Sequence, residues 1–351
     1  MAPSQQKVLY LTKKNGPFEV HTAAVPKPGP GQILVKVQAT GLNPVDWKIQ
    51  LYGLFIEEFP SILGFDAAGT VEELGEGVTG FAKGDRVLAQ GAIGDNARGA
   101  YQQYVVLEAD VSAKIPENVT FDQAATIPSG LLTAAFGLFH QETPDSSAAL
   151  YPPWFDGGVG KYKSEPIFVL GGASTVGQFV IQLARLAGFS PIITTASPHN
   201  ADALKAFGAT HVIDRSLPAD TILVEVKNAT SGVPIKTVFD SVSLADTQNL
   251  GYDVLAPGGT LVIDLSSEIK EEKKVVDKKV VNVYGIANAP QNRKLGVTLY
   301  VKLTEWLADG SIKPTRVEVL PNGLAGIIPG LERLQKGISG LKLVARPQET
   351  A

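Results

Sequence analysis

Three glycines after a short apolar stretch are the sequence feature that most clearly indicates a chemical role. The apolar stretch is Ile167-Phe168-Val169-Leu170, and the glycines are Gly171, Gly172 and Gly177. Apolar residues then recur at helical spacing, which predicts a strand, a tight turn and a helix. The free N–H groups and the dipole at the start of such a helix favour a pyrophosphate. We therefore expect a dinucleotide site formed by Gly172, Ala173, Ser174, Thr175, Val176 and Gly177.

Each residue of this turn has an expected role. Gly172 permits the tight turn, and Gly177 lets the helix approach the strand closely. Ser174 occupies the middle place of a G-x-G-x-x-G pattern, where its hydroxyl can donate to a phosphate. An ordinary glycine turn is the alternative. The repeated strand–helix order around the turn favours the dinucleotide site.

The end of the next expected strand indicates which dinucleotide is bound. NAD-binding folds place Asp or Glu there, about 20 residues on, to bond the ribose 2′-hydroxyl. Here residues 194–200 read Thr-Thr-Ala-Ser-Pro-His-Asn, without an acid. We therefore expect NADPH, with Ser197, His199 and Asn200 near the 2′-phosphate and Arg215 as a further positive charge. The alternative is a plain helix N-cap, and both can hold at once. Leu265 is a further expected cofactor contact.

The type of secondary structure that the sequence predicts changes along the chain. The first third is rich in short strands and glycines, which is typical of a small barrel or sandwich. From Ile167 to Asp264 strands alternate with helices, which predicts a doubly wound parallel sheet. The expected helix after the glycine turn carries Gln178, Gln182 and Arg185 between its apolar positions. Residues 142–164 are interpreted as a surface insertion or linker, and 268–279 as a solvated, charge-rich stretch.

Composition excludes several classes of function. The 351 residues include no cysteine, so disulfides, a catalytic thiol and Cys-ligated metal sites are excluded. The four histidines show no metal-ligand spacing, and no metal is expected. A net charge of −4 argues against nucleic-acid binding. There is no long apolar run and no apolar segment at the N-terminus, so we expect a cytoplasmic protein without a membrane span.

Motifs spread over most of the chain resemble the medium-chain dehydrogenase/reductase superfamily. They are N-P-x-D-x-K at Asn43–Lys48, L-G-x-D-x-x-G-x-V at Leu63–Val71, G-D-R-V at Gly84–Val87, L-T-A at Leu132–Ala134 and a G-K-x-V-like ending at Gly340–Val344. Among its branches the chain resembles zinc-independent quinone oxidoreductases and, most closely, fungal trans-acting enoyl reductases. The resemblance implies an α/β protein with a GroES-like β-barrel catalytic domain (1–130 and 288–351) around a Rossmann NADPH-binding domain (131–287).

The zinc alcohol dehydrogenases of the same superfamily are matched less well. Their G-H-E segment reads Gly64-Phe65-Asp66 here, and their Cys ligands have no counterpart. Without a Lewis acid an alkoxide is not readily stabilised during alcohol oxidation. The sequence thus favours hydride transfer to a C=C bond or a quinone.

The resemblance also implies which residues carry the reaction. Lys48 occupies the lysine of N-P-x-D-x-K, and with Tyr52 and Asn43 it is expected to stabilise the enolate or to donate a proton. A surface lysine and a packed tyrosine are the alternatives, and Asp46 is interpreted as bracing a loop. Thr133 of the L-T-A element is expected to contact the nicotinamide half of the cofactor, or else to lie inside a helix. The expected substrate pocket contains Trp47, Phe55 and Phe59.

The sequence is compatible with four functions. The leading one is NADPH-dependent reduction of the C=C bond of enones, enals or enoyl compounds. A quinone reductase and a polyketide trans-acting enoyl reductase with an acyl-carrier partner are alternatives, and a non-catalytic NADPH-binding protein is a fourth. A small-molecule substrate is expected, without nucleic acid or membrane. The charged run at Lys273–Lys279 disfavours pairing at a sheet edge, so a monomer is favoured slightly over a homodimer.

Overall fold

The computed structural model describes residues 2–351. The strands are β1 Gln5–Leu11, β2 Phe18–Ala24, β3 Gln32–Gly41, β4 Ser61–Ile62, β5 Asp66–Leu74, β6 Arg86–Gln90, β7 Tyr104–Glu108, β8 Ser112–Lys114, β9 Ile167–Leu170, β10 Ile192–Ala196, β11 His211–Asp214, β12 Thr237–Asp240, β13 Thr260–Ile263, β14 Lys279–Asn282, β15 Val317–Val319 and β16 Lys342–Ala345. The α-helices are α1 Pro44–Tyr52, α2 Phe121–Ala124, α3 Pro128–Phe139, α4 Thr175–Ala187, α5 Ala201–Phe207, α6 Ala219–Thr230, α7 Ala245–Val254, α8 Pro290–Ala308 and α9 Ile327–Lys336.

The chain divides into two compact units. Unit 1 runs to Ser129 and continues in Gly296–Gly310 and Pro314–Ala351. Unit 2 consists of Gly130–Leu295 and Ser311–Lys313. Unit 1 is therefore assembled from stretches far apart in the sequence, whereas unit 2 is nearly continuous.

Unit 1 is built on β-sheets, as the strand-rich first third indicates. One sheet has the strand order β15-β16-β3-β5-β6-β8, with β7 also paired to β3, and a smaller sheet has the order β2-β1-β4. Alternate residues of β3 such as Ile33, Val35 and Val37 pack with Val71 and Val87 into a buried apolar cluster. Complete burial of such side chains contributes about 1.5–3 kcal/mol each. The central position of β3 lets both ends of the chain meet on one sheet, because β5 and β16 both pair with it.

Unit 2 contains a six-stranded parallel sheet, which confirms the expected doubly wound arrangement. The strand order is β11-β10-β9-β12-β13-β14, and each pair is parallel. This is the order 3-2-1-4-5-6 of dinucleotide-binding sheets. The order reverses between β9 and β12, so a crevice is expected outside the carboxyl ends of these two strands.

Helix α4 begins and ends where the sequence indicates, and of its three polar residues Arg185 is exposed whereas the two glutamines are buried. Gly188 ends the helix in the left-handed conformation, with a φ of 94°. Gln178 and Gln182 are buried, because their amides bind backbone groups. Gln178 Nε2 donates to the carbonyl of Ala173 at 3.0 Å, and Gln182 exchanges two hydrogen bonds with the backbone of Lys313.

The proline- and glycine-rich segment from residue 142 to 164 is irregular yet packed onto unit 2. Backbone N–H groups of Gly160 and Tyr162 donate to the last carbonyls of α4, at 3.0 and 2.9 Å. The Tyr162 ring stacks on Phe189 with centroids 4.9 Å apart, and Trp154 packs edge-on against Phe139. These contacts extend the covering of the parallel sheet. No helix among residues 2–351 is both long enough and apolar enough to span a membrane.

Candidate active site

The glycine turn joins β9 to α4 and leaves the backbone unusually close to its neighbours. A Cβ atom at Gly172 would lie 2.1 Å from Thr194 Oγ1, and one at Gly177 would lie 2.5 Å from the carbonyl oxygen of Gly171. The close approach at Gly177 agrees with its expected role. The left-handed residue of the turn is Gly171, with a φ of 74°, whereas Gly172 has no such conformation. Gly172 is required for space beside Thr194, and the turn itself is made by Gly171.

Ser174 caps α4 and has no hydroxyl proton left for a ligand. Its Oγ accepts from the N–H of Gly177 at 2.9 Å and donates to Ser241 Oγ at 2.9 Å. Ser241 in turn donates to the carbonyl of Leu170 at 2.7 Å. The expected Ser174–phosphate bond is therefore replaced by a bond between the turn and the end of β12.

Two backbone donors remain at the start of α4. The N–H groups of Thr175 and Val176 have no acceptor within residues 2–351, as is normal for the first turn of a helix. Together with the helix dipole they form a site suited to a phosphate group. The geometry of the turn thus fits a dinucleotide pyrophosphate.

The loop after β12 is fixed by a buried carboxylate. Asp240 Oδ1 accepts from the backbone N–H groups of Val242 and Ser243, at 3.0 and 2.9 Å. Burial raises the pKa of Asp240 to about 6, although these hydrogen bonds oppose the rise. Because β12 adjoins β9, Asp240 and Ser241 shape the crevice at the point where the strand order reverses.

The residues expected near a 2′-phosphate lie together at the end of β10. Ser197–Asn200 follow this strand directly, and the N–H of Arg215 donates to the carbonyl of Ala196 at 3.1 Å. The Arg215 side chain is exposed, whereas that of Asn200 is buried. The neighbouring carboxylate of Asp214 accepts from the backbone and hydroxyl of Ser216, which lower its pKa. The immediate end of β10 carries no acid.

The two other expected cofactor contacts lie elsewhere in unit 2. Thr133 on α3 lies against Gly285, where an added Cβ would come within 2.4 Å of Thr133 Oγ1. Leu265 follows β13, and its carbonyl accepts from Asn282 Nδ2 at 2.6 Å. Thr133 and Leu265 thus each have a defined contact, with Gly285 and with Asn282, but neither of these contacts is with the glycine turn.

In unit 1, helix α1 brings together three of the expected substrate-facing residues. Lys48 Nζ lies 5.6 Å from the centre of the Trp47 ring, and the rings of Trp47 and Tyr52 meet edge-on at 6.2 Å. Tyr52 is 61% exposed, so this residue is on the surface of unit 1. An ammonium and a phenol one turn apart can stabilise a developing oxyanion.

A surface groove of 460 Å³ lies next to this helix end. Phe55 and Phe59 line it with Lys14, Gly53, Ile56 and Glu57, and Phe55 is 71% exposed. Trp47 does not line the groove. The expected aromatic residues therefore occupy two neighbouring places, and the groove combines two aromatic rings with one positive and one negative side chain.

The third expected catalytic residue, Asn43, is buried in a network of charged groups. Its Oδ1 accepts from Lys342 Nζ at 2.7 Å, and its Nδ2 donates to Asp66 Oδ2 at 2.9 Å. Lys342 also donates to Asp66 Oδ2 at 2.7 Å, and Asp66 Oδ1 accepts from the N–H of Ser129. Both ends of the Asn43 amide are therefore used within the protein. The sequence indicated a substrate-facing amide and missed this arrangement.

A second carboxylate braces the start of α1, as expected for Asp46. Its Oδ2 accepts from the backbone N–H of Asn43 at 2.8 Å and from the hydroxyl of Tyr101 at 2.6 Å. Complete burial raises the pKa of Asp46 to about 7, although both hydrogen bonds oppose the rise. Burial and Asp46 together raise the pKa of Tyr101 well above 10. Around neutral pH this pair holds a proton inside unit 1.

Two family models match the two units. The model described as "Alcohol dehydrogenase GroES-like domain" matches residues 29–117, and "Zinc-binding dehydrogenase" matches 175–287. A trans-enoyl reductase, grgB of a Penicillium species, is 32% identical over 97% of this chain and 98% of its own length. The chain belongs to the medium-chain dehydrogenase/reductase superfamily. It is thus an oxidoreductase that uses a nicotinamide cofactor.

Other members of the superfamily are similarly close. A trans-enoyl reductase of Gibberella fujikuroi is 33% identical over 90% of this chain and 92% of its own. The crystal structure of a Pseudomonas syringae quinone oxidoreductase has a TM-score of 0.74 at 25% identity, covering 97% and 99% of the two chains. These superfamily members share the GroES-like and Rossmann-type arrangement with this chain, which confirms the expected fold class.

Proposed function

We propose that this protein reduces the C=C bond of α,β-unsaturated carbonyl compounds, enoyl thioesters among them, with NADPH. The observation that carries the proposal is the likeness along nearly the whole chain to proteins named trans-enoyl reductases. The exposed Tyr52 and the neighbouring Lys48 on α1 support it, because the reaction needs donors aimed at a carbonyl oxygen.

The cofactor is proposed to bind unit 2 along the carboxyl ends of β9, β10 and β12. Backbone N–H groups of Thr175 and Val176 would bind the pyrophosphate, with Gly172 and Gly177 letting the turn and the helix pack closely beneath it. Bound NADPH supplies a hydride to the electron-poor carbon of the substrate. Ser197, His199 and Arg215 are proposed to bind its 2′-phosphate, since the end of β10 lacks the acid that NAD-binding folds use.

Lys48 and Tyr52 are proposed to complete the reduction. Hydride arrival at the β carbon leaves negative charge on the carbonyl oxygen as an enolate. The ammonium of Lys48 and the hydroxyl of Tyr52 would stabilise this charge, and a proton then reaches the α carbon. The overall change is one C=C bond reduced by one hydride and one proton.

Isotope labelling tests this assignment. Reduction of a crotonyl thioester with deuterated NADPH should place deuterium at the β carbon, and reduction in D2O should place it at the α carbon. Lys48→Met and Tyr52→Phe should each lower kcat by about 10- to 1000-fold. Lys227→Met and Tyr10→Phe, at positions outside this helix, are matched controls that should keep normal turnover. Absence of C–D bonds with every enone, enal and enoyl thioester tried would refute the proposal.

Quinone reduction is the second candidate function. It is favoured by the likeness to the Pseudomonas syringae quinone oxidoreductase. NADPH oxidation at 340 nm separates the two candidates, since simple quinones and enoyl compounds can be offered in parallel. Turnover with quinones alone would establish the second function, and cofactor binding without any turnover would indicate a binding protein.

We also propose that the protein acts as a monomer on a small molecule, with an acyl-carrier protein as partner if the substrate is a carrier-bound polyketide. The edge strand β14 begins at Lys279, whose ammonium binds the carbonyl of Pro144 and the carboxylate of Asp145. A charged edge opposes strand pairing with another copy. Light scattering after size exclusion should give 37.1 kDa, and a species of twice that mass would refute the monomer.

A further inference from the structure

Lys342 is a buried lysine on β16, close to the C-terminal end of the chain. Its side chain is 3% exposed and that of its partner Asp66 is fully buried. Burial of two charges is costly, and an apolar pair of similar size is often at least as stable. The presence of this pair in the middle of a sheet therefore calls for a role other than simple stabilisation.

The lysine reaches its partners by crossing a whole strand. Asp66 is on β5 and Lys342 on β16, and β3 lies between these two strands. The crossing point is Gly41, where a Cβ atom would lie 2.9 Å from Lys342 Cε and 3.2 Å from Asp66 Oδ2. The absence of a side chain at Gly41 thus leaves room both for the lysine and for the carbonyl oxygen of Ala125, which a Cβ atom would meet at 2.4 Å.

The charged pair binds the residue directly before the helix that carries Lys48 and Tyr52. Asn43 precedes α1, opposite Lys342 in the continued register of β3 and β16. Its amide accepts from Lys342 and donates to Asp66, while its backbone N–H donates to Asp46. Strands β5 and β16 and the first turn of α1 are therefore joined by directional bonds at one residue.

We propose that Lys342 is a positioning residue of the reductase: by binding Asn43 and Asp66 together it fixes the first turn of α1, and so the placement of Lys48 and Tyr52. This inference rests on the function proposed above. Directional charge-assisted bonds fix orientation more closely than apolar packing does. An error of about 1 Å in such placement can lower turnover about 100-fold.

The variants are chosen to separate the placement of α1 from the stability of the whole protein. Lys342→Met removes the charge and keeps the length of the side chain, and Lys342→Arg restores the charge. Asn43→Ala cuts the connection to α1 while leaving the Lys342–Asp66 pair in place. The control is Lys114→Met, the same substitution in a Lys–Asp pair on β8 of the same sheet, where the lysine is 48% exposed.

The readout combines turnover with the environment of one side chain on α1. The chain contains three tryptophans, Trp47, Trp154 and Trp306, so full-length protein labelled with 5-fluorotryptophan should give three 19F resonances. Trp47→Phe assigns the α1 signal. NADPH affinity, which unit 2 determines, checks that unit 2 is unaffected, and the Trp306 resonance checks the fold of unit 1 away from α1.

Lys342→Met and Asn43→Ala should each shift the Trp47 resonance and leave those of Trp154 and Trp306 in place. We expect kcat to fall about 10- to 100-fold, with NADPH affinity unchanged within about twofold. Lys342→Arg should recover most of kcat, and Lys114→Met should match the parent protein in every measurement.

Unchanged kcat and an unchanged Trp47 resonance in Asn43→Ala would overturn the inference. If Lys342→Met does not fold, Asn43→Ala still decides, because it leaves the buried ion pair intact. If the parent protein reduces no acceptor, the proposed function fails, whereas the 19F resonances still test the placement of α1. A fall in kcat together with equal shifts of all three resonances would show a general structural defect and would also overturn the inference.

Discussion

The starts of α1 and α4 use protein groups in different ways. Before α1 the backbone N–H of Asn43 donates to Asp46, and the Asn43 side chain is held by Asp66 and Lys342 from distant parts of the chain. At α4 the cap is the adjacent Ser174, and two N–H groups are left without an acceptor among residues 2–351. A helix start closed by side chains fixes the helix, whereas a helix start left open binds a ligand.

The largest expected effect is the loss of unfolding free energy when the charge of Lys342 beside the start of α1 is removed. Lys342→Met leaves Asp66 buried without its cation and should lower the free energy of unfolding by about 3–5 kcal/mol. The exposed pair of Lys114 and Asp85 gives the contrast, since Lys114→Met should cost at most about 1 kcal/mol. Urea unfolding at constant pH measures both. Equal losses would mean that burial does not distinguish the two pairs.

The unfolding free energy should also depend on pH, because Asp46 at the start of α1 is buried. The pKa of Asp46 rises from 3.8 in the unfolded chain to about 7 in the folded protein. The folded state thus keeps a proton that the unfolded state loses, so this contribution is complete below about pH 4 and falls as the pH rises through 7. The loss should amount to roughly 2–4 kcal/mol.

Asp46→Asn isolates this contribution, because an amide mimics the protonated acid at every pH. Chemical unfolding of both proteins from about pH 4 to pH 8 should give a difference that changes in favour of the variant as the pH rises. A difference that stays constant over this range would show that Asp46 does not hold the proton.

At the open start, Gly177→Ala should weaken cofactor binding. The added Cβ would lie 2.5 Å from the carbonyl oxygen of Gly171 and would force the turn away from the helix. We expect a stability loss of about 1–3 kcal/mol and an increase of about tenfold or more in the Kd for NADPH. Gly232→Ala, where the space is open but φ is 82°, controls for backbone strain alone. Fluorescence titration should find normal NADPH affinity in this control.

The smallest expected effect concerns the choice of dinucleotide. Arg215 is exposed, so its charge is screened and its interaction with a 2′-phosphate should contribute about 0.5–1 kcal/mol. Arg215→Gln should therefore lower the preference for NADPH over NADH about two- to fivefold, with kcat/KM for NADH unchanged. Lys236→Gln, another exposed cation of unit 2, should change neither value. An unaltered preference in Arg215→Gln would remove this residue from the 2′-phosphate site.

The start of α4 could be predicted from the sequence because all of its parts are neighbours in the chain. The strand, the glycines, the capping serine and the apolar period of the helix lie between Ile167 and Gly188. One error there is local: Gly171 rather than Gly172 adopts the left-handed conformation. The other is not, because the Ser174 hydroxyl binds Ser241, which lies 67 positions further on, directly after β12.

The start of α1 could not be predicted in the same way. Its main contact joins Asn43 to Lys342, 299 positions further on. The pairing of β16 with β3 brings them together, and strand pairing over such a distance has no signal in local periodicity. One clue was present: Lys342 interrupts the apolar run Leu341-Leu343-Val344-Ala345, and a lysine within such a strand is buried only when it is paired.

The discontinuity of unit 1 has a consequence for the order of folding during synthesis. Residues 130–295 contain all six strands of the parallel sheet, so this sheet can form as soon as that stretch has left the ribosome. Asp66 and Asn43 are made early but have no cation until Lys342 emerges almost 300 residues later. The strands of unit 1 that are made first therefore stay incompletely assembled until β16 has been synthesised. We expect ribosome-bound chains that stop before β16 to bind the dinucleotide through a finished unit 2 while their first 129 residues are still open to chaperones and proteases.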